Sequence, residues 1–220
     1  MTTSKVAQQD AVILAALPHV TFDGWGFAAL RRGAVEAGLK ESDADILFPE
    51  GARAAIAHFI ALADRLMIED IATRDMSTLK HREKIALLVR LRLERWTAHR
   101  EAIRRALAIS PLPSIAGTAL QGWYGTVDAM WRAVGDKSID FSFYTKRALL
   151  AAVYGSTLLF WLNDKSPDCT ATWEFLNRRI DTVMQIPKLR AQLSARLERL
   201  PTPRRIFERL AALRANNGQV

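Results

Sequence analysis

Apolar residues return at intervals of three and four along nearly the whole chain, and no stretch alternates apolar with polar for the length of a strand. That periodicity commits the chain to an all-α fold, because a face repeating every 3.6 residues is buried only by a helix. The spacing predicts about ten helices, near 5–18, 25–37, 42–47, 50–71, 77–108, 112–133, 141–163, 169–185, 187–199 and 203–215. Punctuation supports several boundaries. Pro111 and Pro113 open a helix after Ser110, Gly135 closes it, and Asp140 is a candidate N-cap for the next. Thr202 and Pro203 start the last one. No internal repeat is present, which excludes a solenoid. With 220 residues, half of them apolar, the chain can bury one substantial core.

Charge is segregated along the chain, which carries a net +8. Residues 1–79 hold seven basic and eleven acidic side chains, residues 80–105 nine and three, residues 106–187 seven of each, and residues 188–220 eight and two. The front is therefore acidic, while one middle helix and the tail are basic. Cys169 is the only cysteine, so no intrachain disulfide forms and a reducing compartment is expected. The opening MTTSKVAQQD has neither the apolar core of a signal peptide nor the Arg-rich character of a transit peptide. A cytoplasmic protein of bacterial type is expected. The charge-free run Ala148–Asn163 has sixteen residues, short of the ~20 that span a bilayer, and reads as a buried helix.

Catalytic signatures are missing. His19, His58, His81 and His99 are scattered, and none follows a glutamate by three residues as a di-iron bundle requires. There is no HExxH, no CxxC, no phosphate-cradling glycine loop and no nucleophile elbow. Asp136 and Asp140 read as helix caps rather than acids or bases. The expectation is a protein that is not an enzyme, with no metal and no cofactor.

The first third, with Gly24, Trp25, Gly26, Ala37, Gly38, Leu39 and Phe48 at its turns, resembles the helix-turn-helix opening of the TetR repressor family. A DNA-reading helix needs cations for phosphates and donors for base edges. The helix in the reading position carries Glu41, Asp43 and Asp45, which repel the phosphate backbone, and Arg31 and Arg32 on the preceding helix do not offset them. DNA binding is not expected, although a ligand-sensing TetR-type transcription regulator stands as the alternative reading.

The most specific stretch runs from Asp128 to Trp173. It holds Asp128, Met130 and Trp131, then Gly135, Asp136, Ser138, Asp140 and Phe141. Tyr144, Lys146 and Arg147 follow, then Asp164, Ser166, Pro167 and Asp168, with Trp173, Phe175 and Leu176 after them. These spacings resemble the signature of the Coq-nine family of ubiquinone-biosynthesis accessory proteins. Phe143 stands where that family often has Trp, and Lys146 where it has Arg; each keeps the aromatic or cationic character. The resemblance implies a TetR-like fold of two parts, a helix-turn-helix-like segment at 1–48 and a helical lipid-binding domain at 49–200, with a basic amphipathic helix at 201–220. It also implies a bound isoprenoid quinone or phospholipid, a homodimer, and a peripheral place on the inner membrane. Its implied partner is the demethoxyubiquinone hydroxylase, docked through Met130, Asp140, Phe143, Tyr144, Lys146 and Arg147; read from the residues alone, Phe143 and Tyr144 equally suit capping the core.

The helix from Phe141 to Leu162 has small residues on one flank, Ala148, Ala151, Ala152, Gly155 and Ser156, a pattern that suits close helix packing or space for a ligand. With the resemblance, Trp123, Val127, Trp131, Leu149, Ala152, Val153, Ser156, Phe160 and Trp173 become the candidate lipid lining. At the C-terminus Ile206, Phe207, Leu210 and Leu213 share one helical face, edged by Arg204, Arg205, Arg209 and Arg214. Such a helix suits an anionic membrane surface, and equally a docked helix with a solvated basic face. Within it, Arg204, Arg205, Ile206, Phe207, Arg209, Leu210 and Leu213 are the candidate membrane contacts.

Overall fold

The structure, a computed structural model, describes residues 4–135 and 141–198; for residues 141–143 and 186–198 it describes the backbone alone. Among the described residues there are helices and no strands, in the order α1 (Lys5–Asp23), α2 (Phe27–Glu36), α3 (Asp43–Leu47), α4 (Ala52–Ala72) and α5 (His81–Glu94). Then come α6 (Arg100–Ile109), α7 (Pro113–Ala133), α8 (Phe141–Asn163) and α9 (Thr170–Glu198). Residues Met1–Arg178 form one compact unit, and a second unit, Arg179–Val220, begins within α9.

Caps fix several ends. The Ser4 hydroxyl accepts the Ala7 N–H at 3.2 Å to start α1. Gly24 ends α1 at φ +72°, and its N–H bonds the Val20 carbonyl at 3.0 Å. Gly135 ends α7 at φ +84°. Pro113 opens α7 as the sequence suggests.

Three expected boundaries are corrected. The first helix was expected to stop at Pro18 but continues to Asp23, because Ala16, Leu17 and Val20 on either side are fully buried and packing holds the turn. The span 77–108 is two helices rather than one. Trp96, 3 % exposed, turns inward against Phe59 at a 4.9 Å ring distance, the Thr97 hydroxyl takes the Glu94 carbonyl at 2.7 Å, and a short 3-10 turn, Thr97–His99, redirects the chain. Near Pro187, where a break between two helices was expected, α9 is continuous to Glu198. The expected helix at 203–215 lies outside the described residues.

In the first unit α4 is central, packed against α1, α5 and α7. Trp25 and Phe59, 5.4 Å apart, join Trp96 in one aromatic cluster. The Trp25 indole donates to the Ala102 carbonyl at 2.8 Å, which ties the front helices to α6. Helices α1 and α2 meet so closely that a Cβ on Gly33 would lie 2.6 Å from the Val12 carbonyl oxygen. Hydrogen bonds add a polar seam between α1 and α4: Asp10 accepts from Arg65 at 2.7 Å and pairs with His58 at 2.6 Å.

Candidate functional site

Between α4, α5, α6, α7 and α8 lies a cavity of about 310 Å³. Its wall takes Ile56, Phe59 and Ile60 from α4, Ile103, Ala106 and Leu107 from α6, and Trp123, Tyr154 and Leu158 from α7 and α8. Volume and apolar walls suit a small-molecule pocket. Helical spacing places the wall residues: 56, 59 and 60 share a face of α4, and 119, 120, 123 and 126 one face of α7. Gly122 and Gly155 permit the close approach around it. A Cβ on Gly122 would meet Ile60 at 2.8 Å, and one on Gly155 would meet the Trp123 ring at 2.9 Å. Trp123 lies 4.8 Å from Tyr154, ring to ring.

The wall also holds polar side chains, Arg92, Ser110 and Thr126. The Arg92 Nε–H donates to Asp64 Oδ1 at 2.9 Å, and the Thr126 hydroxyl lies 3.0 Å from each Asp64 oxygen. Burial pushes the Asp64 carboxyl above its ordinary range, against the pull of Arg92. Burial likewise raises the Tyr154 phenol.

Of the residues the sequence suggested for a lipid lining, Trp123 is on this wall. Val127 and Val153 are buried in the helix packing, and Leu149 is half-buried. Ala152 is exposed, and the Ser156 hydroxyl turns back to the Ala152 carbonyl at 2.8 Å. The Trp131 indole donates to the Lys146 carbonyl at 3.1 Å. Phe160 stacks on Phe175 at 4.6 Å, and the Trp173 indole donates to the Asp168 carbonyl at 2.9 Å. Sequence reasoning centred on α8 and missed the walls from α4, α5 and α6. One signal was available: Arg92 continues the buried series Ile85, Leu88 and Val89, a charge on the core face of α5.

The suggested partner patch divides. Tyr144 is 68 % exposed, whereas Met130 is fully buried. The Lys146 ammonium sits 5.8 Å over the Trp131 ring. Arg147 is 5 % exposed and reaches Asp128 through two nitrogens at 2.7 Å, while Arg132 takes the other Asp128 oxygen at 2.7 Å. Asp128 and Arg147, nineteen residues apart, thus clamp α7 to α8. Asp140 and the Phe143 side chain lie outside the described residues, as do Asp136, Ser138 and the membrane candidates Arg204, Arg205, Ile206, Phe207, Arg209, Leu210 and Leu213.

The Asp164–Trp173 segment is a turn held by one carboxylate. Asp164 accepts from the Ser166 N–H at 2.8 Å, the Thr172 N–H at 3.0 Å and the Thr172 hydroxyl at 2.5 Å. Burial alone would raise its pKa and is the largest single influence, but the hydrogen bonds from Thr172 and Ser166 together outweigh it and hold the pKa down at about 2. Arg100 braces the same turn, donating to the Asp164 carbonyl at 2.6 Å with its guanidinium 4.8 Å over the Trp161 ring.

At the front, Arg31 is engaged by Asp45 through hydrogen bonds of 3.2 and 2.9 Å, and Arg32 pairs with Asp23 at 3.2 Å. Histidines His19 and His58 pair with Glu36 and Asp10. Among the described residues no cluster of His, Cys, Asp or Glu could hold a metal, and no helix is long and apolar enough to cross a membrane.

Comparisons with known proteins agree on family and fold. The COQ9 family model matches residues 116–187. A ubiquinone biosynthesis protein COQ9 of Drosophila melanogaster, mitochondrial, is 34 % identical over 197 residues, covering 86 % of this chain and 60 % of that protein. Its Homo sapiens counterpart is 32 % identical over 199 residues, covering 87 % of this chain and 62 % of that protein. The chain thus spans about 60 % of the length of these curated relatives. Among solved structures, a TetR transcriptional regulator from Nitrosomonas europaea superposes with a TM-score of 0.65 at 18 % identity, over 80 % of this chain and 97 % of that one, a likeness of fold.

Proposed function

The chain belongs to the COQ9 family, and on that footing we propose that it serves ubiquinone biosynthesis as a lipid-binding accessory protein rather than as an enzyme. It takes an isoprenoid intermediate of the pathway from the membrane and presents it to the demethoxyubiquinone hydroxylase. The observation that carries this reading is the apolar cavity of about 310 Å³ inside a chain related to ubiquinone-biosynthesis proteins. A greasy ligand gains about 25 cal/mol for each Å² of apolar surface it removes from water there. The basic tail, with eight cations against two carboxylates over residues 188–220, suits docking on anionic lipid. Tyr144, exposed near the start of α8, is the aromatic contact offered to the hydroxylase. Association as a homodimer belongs to the same reading.

Lipid mass spectrometry on the natively expressed, purified protein tests the carrier. Ala119→Trp, on the cavity wall, should expel co-purifying isoprenoid, while Ala152→Trp, on exposed α8 surface, should leave it bound. A lipid-free wild-type protein would refute the carrier reading. The rival, a TetR-type regulator, rests on a likeness of fold, and Asp45 facing Arg31 weighs against it.

A further inference from the structure

The repressor-like front holds an open groove of about 500 Å³, lined from α1, α2 and the turn into α3. Its floor is one stripe of α2, where Ala28, Arg31, Arg32 and Val35 fall at i, i+3, i+4 and i+7. His19 of α1 and Glu41 before α3 contribute to its walls. Two large apolar side chains stand in water here. Val35 is 57 % exposed on the floor. Phe22, one turn beyond His19 on the same side of α1, is 81 % exposed, the highest value for a large apolar side chain among the described residues. Exposed apolar residues scattered singly are ordinary. An aromatic and a valine along one groove, edged by ion pairs, have instead the composition of an interface centre with a polar rim. Charge narrows what can fit. Arg31 is held by Asp45 at 2.9 Å, Arg32 by Asp23 at 3.2 Å, and His19 pairs with Glu36 at 2.6 Å. Two arginines thus face four carboxylates, Asp23, Glu36, Glu41 and Asp45, a net charge of −2 with His19 neutral. Lys40 and Asp43 beside them cancel.

We propose that this groove docks a basic amphipathic helix of a partner protein, whose apolar residues cover Phe22 and Val35 and whose cations meet Glu36 and Glu41. Complementary sign selects that occupant. Nucleic acid and an anionic lipid surface are repelled by the excess carboxylates, and so is the same groove on a second copy of the chain. A helix laid in a groove presents apolar anchors at i, i+3, i+4 and i+7, which matches the stripe on α2. The platform is also rigid: α1 and α2 pack so closely that a Cβ on Gly33 would lie 2.6 Å from the Val12 carbonyl oxygen. A preformed surface spares the partner the cost of ordering it. The groove shares no residue with the internal cavity, so its occupant is independent of what the cavity holds.

Fluorescence anisotropy of the full chain with three labelled peptides of about 18 residues tests this. One carries leucine on one helical face and lysine on the other, the second has glutamate in place of lysine, and the third scrambles the leucine–lysine composition. The first should bind, and more weakly as salt rises from about 0.05 M to about 0.5 M; the other two should bind at least about tenfold more weakly. Glu36→Lys with Glu41→Lys should weaken the first peptide at least about tenfold. The same change of charge in Glu69→Lys with Asp75→Lys lies on the order of 25 Å along α4 from its start, where Gly51 touches the Phe27 ring. It should cost less than about twofold. Phe22→Ala with Val35→Ser leaves the charge alone and should weaken binding roughly tenfold. All six side chains are exposed, so the fold should survive, which thermal melting checks. Failure of the basic amphipathic peptide to bind, equal losses from the two charge variants, or full binding by the Phe22 and Val35 variant overturns the docking site. Preference for the acidic peptide overturns its sign. Sedimentation of the protein alone covers the other occupant: self-association abolished by Phe22→Ala with Val35→Ser makes the face a contact between copies and overturns the partner.

Discussion

Replacing Arg147 by Met separates two roles for the most specific stretch of the sequence. Arg147 is 5 % exposed, and two of its nitrogens hold one Asp128 oxygen at 2.7 Å. Removing one member of a buried pair leaves the other charge desolvated, at a cost of about 3–5 kcal/mol. Arg132 stays on the second Asp128 oxygen at 2.7 Å, but it is 76 % exposed. An exposed pair of this spacing offsets only ~0.5 kcal/mol. The net loss is therefore about 3 kcal/mol, which for a domain of this size lowers Tm by roughly 6–12 °C. Asp128→Asn with Arg147→Met removes both charges and should recover most of that loss, a coupling of about 2 kcal/mol. Guanidinium unfolding followed by far-UV circular dichroism measures both. Loss below about 1 kcal/mol in the single variant, together with weakened hydroxylase binding, would refute the clamp and return Arg147 to a contact surface.

Tyr144→Ala should do the reverse: hydroxylase pull-down falls while Tm stays within about 1 °C, since an exposed side chain contributes little to the core. Asp164→Ala removes the acceptor for three groups and should cost about 1 kcal/mol, read by thermal melting at pH 7. Because folding lowers its pKa to about 2, Asp164 contributes stability that is complete above about pH 4 and lost as pH falls through 2. The gap between wild type and Asp164→Asn should accordingly close between pH 4 and pH 2, and a gap constant with pH would contradict the assignment. Deletion of residues 203–220 should weaken binding to anionic liposomes, more strongly at low salt than at high; unchanged binding would place the membrane contact elsewhere.

Fold class was legible in the sequence because periodicity is a local property. Most helices and the Gly135 stop follow from spacing and from glycine's freedom at positive φ, whereas the Gly24 stop of α1 was missed in favour of Pro18. What failed was local reasoning about breaks. Pro18 lies inside α1 because burial outweighs a lost hydrogen bond, and the chain turns at Trp96, which no breaker residue marks. The cavity was less legible. Its walls come from five helices brought together by tertiary packing, and the small residues of α8 proved ambiguous: Gly155 packs on Trp123 while Ala152 faces outward. Even the signature stretch reveals its physics only in three dimensions, where Asp128 with Arg147, and Asp164 with Thr172, are internal clamps.

The front of the molecule keeps the helix order of a repressor, and its charges argue against reading DNA. A recognition helix must bring cations and neutral donors to the groove. Here α3 presents Asp43 and Asp45, with Asp43 accepting the Lys40 N–H at 2.9 Å and Asp45 occupying Arg31. Arg32 is drawn to Asp23 at 3.2 Å. Seating α3 in a major groove would break these pairs and set carboxylates against phosphates, so each expected attraction becomes a repulsion. Fluorescence anisotropy at low salt should therefore detect no binding tighter than the ~1 µM limit of non-specific association, with no difference between upstream and scrambled DNA. A nanomolar, sequence-dependent complex would overturn this argument and restore the regulator as the better reading of the same cavity, which would then report a ligand rather than deliver one.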